Sequence, residues 1–148
     1  MPTPLPPEEH YRRLERMYHQ APINAWHQPT IRVSEGQAEV SVTVRRDFWH
    51  AAHAMHGALY FKSLDDSSFF AANSVVFDLF VLTVTFNLVL LRPVSEGIIT
   101  AHGRLVHRSK SMLVAESELR DAEGRTLARG GGTFVYSTIA LGPEVGYR

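Results

Sequence analysis

The chain has 148 residues, 45% of them hydrophobic, which suffices for one domain with a real core and is short for two. Its 15 Lys and Arg cancel 15 Asp and Glu, so no net field draws in nucleic acid or an anionic membrane. Cysteine is absent, which excludes disulfides, thiolate nucleophiles and cysteine metal sites.

Residues 1–7 are proline-rich and are expected to be extended or disordered. They carry neither the basic region nor the apolar stretch of a secretory signal, so the expected location is the cytoplasm. A helix is predicted from about Pro7 to Gln20, because proline suits a first turn and Glu8/Arg12 and Glu9/Arg13 are i,i+4 pairs in the favoured order. Tyr11, Leu14 and Tyr18 form its packing stripe, and Pro22 is read as its stop.

Strand-like alternation follows in Ile31–Val33 and Ala38–Val44, with Ser34-Glu35-Gly36 as the turn. Residues 45–55 read as a loop, and a long, largely apolar helix is predicted over 57–73. Four strands complete the chain at about 80–91, 97–107, 111–120 and 125–137. In the first of them Leu82, Val84, Phe86, Leu88 and Leu90 fall on one face and Thr83, Thr85 and Asn87 on the other, which predicts a sheet with one dry side. The run from Val75 to Leu91 is interrupted by Asp78, Thr83, Thr85 and Asn87, too polar for a membrane span. A single helix apolar over much of its circumference needs a sheet curled around it. Short turns make the C-terminal strands antiparallel. The fold class is therefore α+β, one domain over residues 1–148, with a curved antiparallel sheet wrapping a central helix.

One acid stands out on that helix. Offsets of four and seven join Asp65 to Ala58, Phe61, Phe69 and Ala72, an apolar stripe. Its neighbour Asp66 shares a face with Lys62, Ser63 and Phe70, can pair with Lys62, and is expected at the surface. A carboxylate among apolar groups is costly unless it is paired, neutralised or used.

The stretch His56-Gly57-Ala58, six residues, Asp65, then Ala71-Ala72-Asn73-Ser74 resembles the signature of the PaaI-like hotdog-fold acyl-CoA thioesterases. The following strand, Thr83 to Leu91 closed by Arg92-Pro93, is similar to theirs, as are Gly97, Gly103, Gly124 and Ala128. The likeness covers roughly residues 37–137. It implies a sheet of five to six strands around the helix, hydrolysis of acyl-CoA to acid and CoA, no cofactor beyond the substrate's own CoA, and dimers often paired into tetramers. By the same resemblance Asp65 is base or nucleophile, Thr83 orients water or the carboxylate, Ala58 contacts substrate, and Arg108 and Lys110 hold the anionic part of CoA. Ala58 replaces the second glycine of the signature. His50 stands where many members carry an asparagine that binds the thioester carbonyl, and its imidazole N–H could substitute; His53 stands at a common glycine.

Thioester hydrolysis needs a donor for the developing oxyanion and a base or nucleophile across the carbonyl. The Gly57 amide, at a helix N-terminus, has a free N–H and a favourable dipole; one such donor is typically worth about 2.7–4 kcal/mol in the transition state. His56 is read as positioning the loop rather than as base. Eight helical steps separate Gly57 from Asp65 by roughly 12 Å, whereas one carbonyl needs both within about 3 Å. Two antiparallel copies of the helix across a twofold axis meet that demand, which predicts a homodimer with two shared sites and Thr83 on the Asp65 side.

Competing readings are weaker. His50, His53 and His56 are not spaced as a zinc site, since the outer two would face different directions on a helix. Gly130-Gly131-Gly132 lacks the Lys-Ser/Thr of a phosphate loop and fits a bulge or a close backbone approach. A non-catalytic acyl-CoA-binding module and a hotdog hydratase or dehydratase are the functional rivals.

Overall fold

In the computed structural model, which describes residues 3–148, the central helix rests on the sheet main chain to main chain. A Cβ placed on Gly103 would lie 2.1 Å from the Ser67 carbonyl oxygen, so only glycine allows this approach. The helix meets it with small buried residues: Ser63, Ser67, Ser68, Ala71 and Ala72. Ser68 donates to Ser117 Oγ at 3.0 Å, and Ser117 donates to the Leu64 carbonyl at 2.8 Å, so these two buried hydroxyls are satisfied across the seam.

In chain order the elements are α1 (Pro7–Gln20), α2 (Pro22–His27), β1 (Thr30–Ser34), β2 (Gln37–Val44), a 3-10 turn (Arg46–Phe48), α3 (Gly57–Asn73), β3 (Leu79–Leu90), β4 (Gly97–Arg108), β5 (Leu113–Arg120), β6 (Thr126–Ala140) and a 3-10 turn (Pro143–Val145). The six strands form one antiparallel sheet in the order β1-β2-β4-β5-β6-β3, curled around α3. This is the α+β hotdog architecture, with six strands. Residues 3–6 have no regular structure; the expectation for residues 1 and 2 lies outside the described range.

Two expectations need correction. Pro22 ends α1 and also opens α2, where its missing N–H costs nothing at the first helical position. Gln28 in the left-handed region, φ 59°, then closes α2. The second correction concerns β3. Thr83 pairs with Phe134 and Thr85 with Thr133, so Val84 is an extra residue in a β-bulge. The bulge reverses the alternation: Val81 and Thr83 face the helix, and beyond it Phe86 does too, opposite Gly132. Leu82 and Val84 point outward and stay exposed, at 42% and 58%. The single dry face read from the sequence is therefore split between two sides of the sheet.

Phe86 explains the glycine run. Cβ atoms on Gly130 and Gly132 would lie 2.8 and 2.6 Å from its ring, so β6 supplies a flat bed on which the ring lies. That is the close backbone approach, not a bulge, at this point of β6. Asn73, fully buried, sets where β3 starts: its amide nitrogen donates to the Val76 and Leu79 carbonyls, and its oxygen accepts from the Val81 amide. Among the described residues, no helix is long and apolar enough to cross a membrane.

Candidate active site

The start of α3 is shaped by the loop before it. The Met55 amide donates to the Val94 carbonyl at 2.8 Å, and the His56 amide donates to the Phe48 carbonyl at 2.8 Å. His56 is the N-cap, and its Nδ1 accepts from the Ala58 amide at 2.9 Å. This fixes Nε2 as the protonated nitrogen and commits the ring to capping, in line with the loop-positioning role. The Gly57 amide, first of the helix, is outside the intrahelical ladder and free for an external acceptor.

Gly57 lines a concavity of about 350 Å³ with His50, Tyr60, Leu90 and Arg92. His50 thus stands beside Gly57, as its position in the sequence suggested, although its Nδ1 accepts from the Ala52 amide at 3.0 Å. Its Nε2 is then the N–H side of the ring. His53, left-handed at φ 66°, stacks on Trp49 with ring centroids 5.8 Å apart. Ala58 is one of two exposed residues of α3.

Asp65 lies two turns further along α3, in a different concavity of about 650 Å³. Thr83 donates its hydroxyl to Asp65 Oδ1 at 2.9 Å. The Asn73 clamp and the Val84 bulge together aim that hydroxyl at the acid. Burial pushes the Asp65 carboxyl up to about 6, against the Thr83 hydrogen bond; the neighbouring Asp66 charge adds to the rise and Lys62 opposes it.

Asp66 is not at the surface. Its side chain is 17% exposed, Lys62 Nζ sits 2.6 Å from Oδ2, and the Tyr18 hydroxyl donates to the same oxygen at 2.6 Å. Burial raises its carboxyl, while Lys62 and Tyr18 pull it back. The Lys62 pairing was readable from the i,i+4 spacing. Tyr18 was not, because α1 delivers it from 48 positions away. Tyr18, Lys62 and Asp66 share the Asp65 concavity with the apolar groups Ile23, Phe69, Phe80 and Leu82.

Arg108 and Lys110 are exposed in the β4–β5 hairpin and line neither concavity. Arg108 Nε donates to the Tyr136 hydroxyl at 3.4 Å. Arg45 is engaged within the fold: it donates to the Trp26 and His27 carbonyls and lies 4.3 Å over the Phe48 ring. Arg46 lies over Trp49. Among the described residues no group of three or more His, Asp or Glu is placed to hold a metal ion.

Within one protomer, then, the structure joins Asp65 to Thr83 and His50 to Gly57, and keeps the two pairs in separate concavities. A sequence model described as the thioesterase superfamily matches residues 52–128. A Saccharolobus solfataricus protein named as a candidate esterase is 24% identical over 104 residues, covering 70% of this chain and 74% of its own. The structure of the Escherichia coli PaaI protein, from the phenylacetic acid degradation operon, superposes with a TM-score of 0.82 at 21% identity, over 90% of this chain and 96% of that one. A thioesterase of Haemophilus influenzae gives 0.75 at 16% identity, over 82% and 87%. A conserved protein of Pseudomonas aeruginosa gives 0.76 at 26% identity, over 82% and 98%. The chain has the hotdog fold of PaaI and related thioesterases, and the match over half its length supports thioester hydrolysis as its general chemistry: it belongs to the thioesterase superfamily.

Proposed function

We propose that this protein hydrolyses acyl-CoA thioesters to free acid and CoA, as a homodimer with two shared sites. The observation that carries the reading is the separation of Gly57 and Asp65 into different concavities of one protomer. At roughly 12 Å along one helix they cannot serve one carbonyl, and a second copy in antiparallel orientation removes the conflict. The exposed apolar groups of β3, at the edge of the sheet, suit such a partner: Leu82, Val84, Val89 and Leu90 are 42–58% exposed.

In this mechanism the Gly57 amide of one protomer donates a hydrogen bond to the negative charge that develops on the thioester oxygen, with the His50 imidazole N–H as a second donor. Asp65 of the other protomer removes a proton from water as the water oxygen bonds to the carbonyl carbon. The tetrahedral intermediate then expels the CoA thiolate by breaking the C–S bond, and the proton passes to sulfur. A carboxyl raised to about 6 is a stronger base than an ordinary aspartate and is still ionised at neutral pH. Direct attack by Asp65 gives an anhydride instead; acid released in a single turnover in ¹⁸O-water, followed by the enzyme's own carboxyl label, separates the two routes. Arg108 and Lys110 hold the anionic end of CoA, and neither metal nor cofactor takes part. The location is the cytoplasm.

The test is release of free thiol from a panel of acyl-CoAs. Turnover that disappears in Asp65→Asn supports the reading. Binding without turnover across the panel assigns the protein as a carrier or sensor, and hydration of an enoyl thioester assigns it as a hydratase.

A further inference from the structure

We infer that Phe61 lies on the twofold axis of the dimer, ring against the partner's Phe61, and is the positioning residue that sets the distance between each Gly57 amide and the opposing Asp65. The inference rests on the shared-site reading above. When two identical helices run antiparallel about a twofold axis, each residue faces its counterpart on the other side of one midpoint, and only the midpoint residue faces itself. Pairing Gly57 with Asp65 puts that midpoint at 61.

Independent features of the chain agree with this placement. Seventeen residues form α3, yet Ala58 and Phe61 are the exposed ones. Phe61 is 39% exposed, a large apolar group left open on a helix otherwise enclosed by its sheet. Its ring is braced rather than loose: it stands edge-on to Phe86, centroids 5.4 Å apart and planes 83° apart. Phe86 is in turn seated on Gly130 and Gly132, so β6, Phe86 and Phe61 form one continuous stack. Ala58, one turn earlier on the same stripe, has too little side chain to hold two helices apart. The result is an aromatic block of four rings at the axis, two from each copy. It separates the two active sites by an apolar wall.

The sequence provides its own probe, because the chain has no cysteine. Phe61→Cys places one thiol per protomer at the axis, and Arg32→Cys places one on β1, the opposite edge of the sheet from β3. The full-length variants are oxidised with copper-phenanthroline or treated with a short bismaleimide, then run under denaturing conditions. Phe61→Cys is expected to run mostly as a covalent dimer and Arg32→Cys as monomer. A folded, dimeric Phe61→Cys that does not cross-link overturns the placement.

Kinetics supply the second readout. Phe61→Ala is expected to lower kcat about tenfold with KM little changed and the dimer retained, and Phe61→Leu to restore most of the rate. An unchanged kcat in a folded Phe61→Ala dimer rejects the positioning role, whatever the thiol variant does. Failure of the catalytic reading looks different: Asp65→Asn would keep its activity even where Phe61→Cys cross-links.

Discussion

Asp65 and Asp66 are one residue apart, and α3 puts them in opposite circumstances. Asp66 faces α1, where Lys62 neutralises it and Tyr18 completes its hydrogen bonds. Asp65 faces β3 and has one hydroxyl, that of Thr83. The first is a closed structural unit. The second is an acid with a hydrogen bond to hold its direction and no cation bonded to it, since Lys62 acts on it only from its place beside Asp66; the proposed base requires such an arrangement. The difference teaches that burial alone does not single out an acid free for chemistry; the absence of a bonded cation does.

The comparison breaks most sharply at Asp65 itself. Asp65→Asn is expected to lower kcat by about 10²–10⁴-fold, the range for a positioned general base, in a thiol-release assay. If Asp66→Asn caused the larger loss of kcat in a folded protein, the assignment of the two acids would have to be exchanged. Next in size is Gly57→Ala. A Cβ there lies 3.3 Å from Leu90 Cδ1, a side-chain tip that gives way by a few tenths of an ångström, and the methyl narrows the concavity in front of the amide; a loss of about tenfold in kcat is expected, with thermal stability nearly unchanged.

Asp66→Asn should act on stability rather than on chemistry. It leaves the Lys62 ammonium without its partner in a mostly buried setting, for a cost of about 2 kcal/mol, measured by urea denaturation. It also removes a negative charge beside Asp65, so the acid limb of the pH–rate profile should move down from about 6. Thr83→Val should move the same limb up, because the hydroxyl holds the carboxyl lower than burial alone would. Opposite shifts from the two variants would sharpen the comparison; shifts of the same sign would refute it.

A further effect is on the pH dependence of folding. Asp65 titrates higher in the folded chain than in the unfolded one, so between about pH 3.8 and 6 the folded state binds the extra proton. Stability contributed by this group is present at low pH and falls as pH rises through that window. In Asp65→Asn this part of the slope should vanish, as followed by denaturation midpoints across the window.

Much of the candidate site's layout could be read in advance because it is local. Gly57 and Asp65 belong to one helix with a fixed spacing, His56 caps it, and Thr83 follows on the next strand. What escaped depends on parts of the chain remote in sequence. Tyr18 reaches Asp66 only after α1 docks, so Asp66 read as a surface residue. Val84 alternates as well as any strand residue, and its bulge follows from the register of β6, where Gly130 and Gly132 admit the Phe86 ring. Pro22 fits a helix stop and a helix start equally well until the chain beyond it is seen. Arg108 and Lys110 lie away from both concavities of their own protomer, so the CoA contact proposed for them requires the proposed dimer.

The contact at Gly103 has a consequence for how this protein tolerates change. Because no side chain lies between the two main chains there, the height of the central helix above its floor is fixed by covalent geometry rather than by the volume of a filler residue. Exchanges among the surrounding Leu, Ile and Val would retune the melting temperature while leaving the acid at the same elevation. Any replacement of this one glycine would lift the helix and Asp65 together.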